Sequence, residues 1–86
     1  VLEAAESLGA ALYVHPARVR AGGMLPRFHF SNTIGNPLET TIALGSLIFG
    51  GAFDRFPRLR TCFAHGGGFA VIDGGRFDRA HAVRPE

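Results

Sequence analysis

Two short apolar runs, each closing on a histidine, most constrain how this chain can fold. "ALYVHP" carries Leu12, Tyr13 and Val14 and stops at His15-Pro16; "LRTCFAH" starts at Leu59 and stops at His65, where three glycines follow at once. Runs this short and this apolar read as buried strands. Between them lies the best helical pattern of the chain, "NPLETTIALGSLIFGG". Strand, helix, strand in that order implies parallel pairing, because parallel strands need a crossover connection and a helix supplies it. Parallel sheets of this kind gather their active groups at the carboxyl ends of the strands, and both histidines occupy that position.

The remaining elements follow from local chemistry. "VLEAAESLGA" places Leu2, Ala5 and Leu8 at helical spacing, with Gly9 as the stop. In the central helix Asn36 reads as the N-cap, Pro37 as the first helical residue and Glu39 as the partner in a capping box. Leu38, Ile42 and Phe49 form one apolar line, with Thr41, Leu44 and Ile48 beside it, and Gly50-Gly51 ends the helix. "AFDRFPRL" reads as a compact turn pegged by Phe53 and Phe56. A last helix is expected from about Gly68 to Val83, with Phe69, Ile72, Arg76, Phe77 and Ala80 on or near one stripe and Pro85 as its breaker. Gly74 and Gly75 each weaken that helix by about 1 kcal/mol relative to alanine, which points to something packing closely against it. Residues 17–35 mix Gly22, Gly23, Pro26 and Gly35 with Met24, Phe28 and Phe30, the pattern of a long loop that serves as a lid or pocket wall. The chain opens within a helical pattern without a cap and stops just after another. The expectation is therefore a piece of a longer chain.

Composition excludes more than it names. The balance of 47% hydrophobic and 19% charged residues over 86 positions is that of a folded interior, neither disordered nor repetitive. The net charge of +2 comes from arginines scattered along the chain, which argues against nucleic acid as a partner. No run approaches the roughly 18 apolar residues of a membrane span, and the start lacks the basic and cleavage pattern of a signal peptide. Cys62 is the single cysteine, so no internal disulfide can form and a reducing, cytoplasmic setting is expected.

The chemistry rests on His15 and His65. Two imidazoles at neighbouring strand ends converge over the mouth of the sheet. Together they can ligate Zn²⁺ or a similar divalent ion, which needs three or four such donors; alternatively one binds the metal while the other moves protons. A metal so held polarises a carbonyl or acidifies a bound water. Gly66, Gly67 and Gly68 let the backbone turn sharply and leave room beside His65, and a helix starting there would aim N–H groups at an anion. The plainer readings are a hydrogen-bonded structural histidine in each case and a tight turn that alone accounts for the glycines. His29 and His81 read as loop and surface residues, Cys62 as a small core residue, and Glu39 as a helix cap.

The strings "YVHPA" and "TIGNPLETTIALGSLIFGGAFDRFPRLRTCFAHGGGFAVIDGGRFDRAHAVRPE" resemble the amidohydrolase-related family, in particular the branch of aminocarboxymuconate-semialdehyde decarboxylase and its relatives. The combination "GNPLETT…FDRFPRL…AHGGG…GR" carries the resemblance, which is loosest at 17–33. It implies an α/β fold: a fragment of a metal-dependent (β/α)8 TIM barrel, from about strand 5 to helix 6, with residues 1–86 a partial domain. It implies zinc, or sometimes manganese, as the metal. His15 matches the family's ligand at the end of the fifth strand. His65 matches the histidine that orients or deprotonates the metal-bound water, and is thus the catalytic candidate. Arg76 matches an arginine that, in dimeric members, reaches the neighbouring subunit's pocket and pairs with a substrate carboxylate, so a homodimer is implied too. The family's His-x-His pair and strand-ending aspartate are not among these residues, and "VIDGGR" puts Asp73 and Gly74 where relatives carry apolar residues. The activity implied is a metal-dependent, cofactor-free decarboxylation of a carboxylated small molecule. Hydrolysis of an amide, ester or lactone at the same site, or an inactive fragment, are the alternatives.

Overall fold

The computed structural model describes residues 1–19 and 26–83. Its first element, α1 (Leu2–Leu8), ends at Gly9 in the left-handed conformation, φ 67° and ψ 20°. Gly9 N–H donates to Glu6 O at 3.1 Å and Ala10 N–H to Ala5 O at 2.9 Å. This 5→2 and 6→1 pair satisfies the helix's last carbonyls and turns the chain into β1 (Ala11–Val14).

β1 pairs in parallel with β2 (Arg60–Phe63), Ala11 opposite Arg60 and Val14 opposite Phe63. Burial alternates along both strands: Leu12, Val14, Thr61 and Phe63 are half-buried, while Tyr13 and Cys62 lie on the exposed face. Two polar ties hold the register at the amino end of the pair. Arg58 N–H donates to the Glu6 carboxylate at 2.8 Å, and the Arg60 guanidinium donates to Gly9 O.

The crossover helix α2 (Asn36–Phe49) departs from expectation at its start. A π-helical turn at Ser31–Gly35 runs straight into it, and Asn36 has helical angles, φ −64° and ψ −48°. Its N–H already donates to Ser31 O, so no free helix end remains there and no side-chain cap forms. The anticipated apolar line is also largely open, with Ile42 53% and Phe49 43% exposed. The fully buried side chain of α2 is instead a polar one, Thr40. After Gly51 (φ 77°), the expected turn contains a single helical turn, α3 (Ala52–Arg55), with Phe53 and Phe56 half-buried and Leu59 buried.

The last helix, α4, covers only Gly74–Val83. Residues 66–68 all have positive φ, and Gly68 (φ 65°, ψ −127°) lies where no helix can run. Gly74 and Gly75 open α4 rather than interrupt it, and nothing stands within 4 Å of where their Cβ atoms would be. The close packer expected there is absent among the described residues. Phe77 joins α4 to α2, its ring edge-on to Phe49 at 5.5 Å and against Gly45. The glycines and methionine of the expected lid at 20–25, and the expected stop at Pro85, lie outside the described residues.

Among the described residues the buried apolar side chains are Ala5, Ala52, Leu59, Ala64 and Ala70, four of the five alanines. Leu8, Val71 and Ile72 are at least 80% exposed. The radius of gyration is 14.3 Å, against about 12 Å for a compact domain of this length. A thin α/β slab, 18 Å deep, results, and its large apolar groups look outward. Cys62 is exposed for the same reason: among the described residues no layer covers its face of the two-stranded sheet. Among the described residues no helix is long and apolar enough to cross a membrane.

Candidate active site

His15 and His65 stand at the carboxyl ends of β1 and β2, with ring centroids 5.2 Å apart and ring planes at 48°. The sheet alone does not produce this. Its register carries His15 opposite Ala64, whose N–H donates to Val14 O at 2.9 Å, so His65 lies one residue further on. Strand side chains alternate faces, and a one-residue offset sends a pair to opposite sides. His65 escapes that outcome because its own φ is 55°, in the left-handed region. The chain turns at that residue, and Gly66 (φ 59°, ψ 25°) and Gly67 (φ 82°) continue the turn.

Two adjacent threonines of α2 receive the turn. Thr40, 1% exposed, places Oγ1 2.9 Å from His65 Nδ1 and 3.1 Å from Asn36 O. Thr41 Oγ1 donates to Pro37 O at 2.8 Å and accepts from Phe69 N–H at 2.7 Å. Gly68 passes so close to this helix that a Cβ there would overlap Pro37 O and Thr41 Oγ1. Nothing lies within 4 Å of a Cβ at Gly66, so the space beside His65 on that side is open. The glycines therefore serve two purposes: Gly68 permits close approach, and Gly66 permits the turn and leaves the space clear.

A hollow of about 310 Å³ opens beside His15, lined by Val14, His15, Arg18, Glu39, Thr40 and Ala43 among others; His65 does not line it and meets it only through Thr40. Glu39, expected as a cap, thus borders the same hollow as His15 and Thr40. Tyr13 lies 6.3 Å from the His15 ring. Arg76 is exposed in the first turn of α4 and does not line this hollow; the eleven residues from His65 to Arg76 are mostly turn, not three turns of helix. The N–H groups of Gly67 and Gly68 are used by Ala64 O and His65 O, and α4 starts at Gly74, so no helix N-terminus faces His65. His81 is on the surface of α4, and His29 is an exposed loop residue with φ 60°.

Whether these groups suit a metal follows from the donors. Two imidazoles bound to one tetrahedral ion at about 2.0–2.1 Å put their ring centroids about 5 Å apart, the spacing found here. No cluster of three or more His, Cys, Asp or Glu side chains occurs among the described residues. The spacing suits either two imidazoles on one ion or His15 as a ligand with His65 beside it, and in both cases the described residues supply only part of a ligand set. Thr40 is the site residue that sequence reading missed. Its signal was a polar side chain at helical spacing with Leu44 and Leu47.

The amidohydrolase family model matches residues 1–84. The chain is 40% identical over its full length to 2-amino-3-carboxymuconate-6-semialdehyde decarboxylase of Dictyostelium discoideum, covering 24% of that protein. It is 37% identical over 94% of its length to the protein of the same name from Caenorhabditis elegans, covering 20% of it. The chain thus spans about a quarter or less of the curated relatives it matches. A parallel strand pair with histidines at its carboxyl end, and a family match across nearly every residue, place this chain in the amidohydrolase family, on its aminocarboxymuconate-semialdehyde decarboxylase-like branch.

Proposed function

We propose that this chain is the central part of a metal-dependent carboxy-lyase that removes CO₂ from a carboxylated small molecule without an organic cofactor. On this reading β1 and β2 are two neighbouring strands of a (β/α)8 barrel, about the fifth and sixth. The exposed face of the sheet, with Tyr13 and Cys62, is the one the remaining strands cover. The observation that carries the reading is the 5.2 Å pairing of His15 and His65 at the strand ends, with an open hollow bordered by His15. The likeness to two curated decarboxylases supports the reaction type.

His15, exposed at the end of β1, would hold a divalent ion, zinc or manganese, together with donors outside these residues. When bound, the ion supplies a Lewis acid that stabilises the negative charge developing as CO₂ leaves. His65 handles the proton. Its Nδ1 faces Thr40, so Nε2 is the nitrogen available to take a proton and return it to the carbon that loses the carboxylate. Arg76 would bind a substrate carboxylate through its guanidinium fork. Its exposed place on α4, away from the hollow, suits a reach into a partner subunit's site in a homodimer.

The test is CO₂ release by the intact enzyme carrying this segment. Replacing His65 by Asn is expected to lower kcat by about 10²–10⁴-fold, the range for loss of a general acid–base group. Chelation is expected to abolish turnover, with recovery on adding zinc or manganese. Full turnover in the variant, or after chelation, would refute the mechanism.

A further inference from the structure

We propose that Thr40 is a positioning residue that selects the tautomer of His65, holding the hydrogen on Nδ1 and leaving Nε2 bare. The inference rests on the reading of His65 as the proton-handling group, and it concerns a residue to which that reading gives no role.

The argument is one of counting hydrogens. Thr40 has a single hydroxyl proton, and Oγ1 has two neighbours: Asn36 O at 3.1 Å and His65 Nδ1 at 2.9 Å. A carbonyl oxygen can only accept. If the hydroxyl donates to Asn36 O, its lone pair faces Nδ1, and Nδ1 must carry the ring hydrogen. A neutral imidazole has one N–H, so Nε2 is then free. If the hydroxyl instead donates to Nδ1, the bond to Asn36 O is lost and the hydrogen moves to Nε2. The first arrangement makes one more hydrogen bond, which favours it by roughly two- to tenfold. Thr40 is 1% exposed, so water does not offer a substitute. The helix favours the choice: Asn36 lies four residues before Thr40, which puts its carbonyl within reach of the threonine proton. Thr41 fixes the same loop from its backbone side by accepting Phe69 N–H at 2.7 Å, so the ring and its anchor are held by consecutive residues.

The test uses the zinc-loaded intact enzyme with ¹⁵N-labelled histidine, His65 being assigned by its absence in a His65→Asn variant. The wild type is expected to give the Nδ1–H signature at His65. In Thr40→Val, which keeps the shape and removes the hydroxyl, the signal is expected to move toward Nε2–H. There kcat should fall by about ten- to a hundredfold with KM within about threefold, as for a misplaced catalytic group. Thr40→Ser is expected to restore both the signature and kcat to within about threefold. An Nε2–H tautomer in the wild type overturns the proposal, as does a Thr40→Val enzyme with unchanged spectrum and kcat. If Thr40→Val does not fold, the wild-type and Thr40→Ser spectra still decide it. The spectral readout does not depend on the reaction catalysed, so an Nδ1–H signature in the wild type that is lost in Thr40→Val, in an enzyme that releases no CO₂, would uphold this inference and sink the decarboxylase reading.

Discussion

Alanine at Gly68 and alanine at Gly66 are both glycine replacements at positive φ, yet the structure predicts very different costs. Gly66, at φ 59° and ψ 25°, lies in the left-handed region open to ordinary residues, and its Cβ position has no neighbour within 4 Å. Only backbone strain remains, about 1–2 kcal/mol. Gly68, at φ 65° and ψ −127°, lies outside that region, which adds about 1–3 kcal/mol of strain. Its Cβ would also overlap the Pro37 carbonyl oxygen, which is helix backbone and cannot swing aside, and overpacking of this kind costs about 1–3 kcal/mol. The sum is about 2–6 kcal/mol, centred near 4, a large share of the 5–15 kcal/mol that typically holds a protein folded. The assay is urea unfolding of the intact enzyme and each variant at equal metal loading. Gly68→Ala is expected to lose at least twice as much as Gly66→Ala, and to lose activity as well because His65 hangs from the same turn. Equal losses, or the reverse order, would show that the approach of the glycine turn to α2 is not what requires Gly68.

Two further outcomes follow from side chains already placed. Thr41→Val removes the acceptor of Phe69 N–H and is expected to cost about 1–3 kcal/mol, read as a lowered unfolding midpoint; no change would mean that this N–H finds another partner. Arg76→Lys keeps the charge and loses the fork, so KM for the carboxylate substrate is expected to rise by about tenfold with kcat nearly unchanged. Equal KM values would deny Arg76 a bidentate role.

The strands were legible because each is a short apolar run cut off at a histidine, and the signal for both lies within a few residues. The end of α1 at Gly9 was legible because a left-handed residue is needed there and glycine supplies it. The start of α2 was not. Asn36-Pro37 has the chemistry of a helix beginning, but a π turn upstream had already used its N–H, and the residues that build this turn, Ser31–Gly35, have no helical pattern. The end of the glycine turn misled in the opposite direction. Phe69 and Ile72 fall at helical spacing, yet Gly68 takes a ψ no helix allows and Thr41, far back in the chain, takes the N–H of Phe69. Of the site, the two histidines could be read and their convergence anticipated. Thr40 could not, because its partner lies 25 residues away and a threonine pair on a helix has many ordinary explanations.

The positive φ at His65 also restricts what can ever stand in its place. Asparagine and aspartate tolerate such a backbone; valine, isoleucine and threonine do not. If His65 carries the proton as proposed, the position is filtered twice, once by the reaction and once by the peptide geometry. Attempts to recast the chemistry with a glutamate or a branched residue would confound a new proton donor with a distorted main chain. Asparagine is the replacement that removes the imidazole alone.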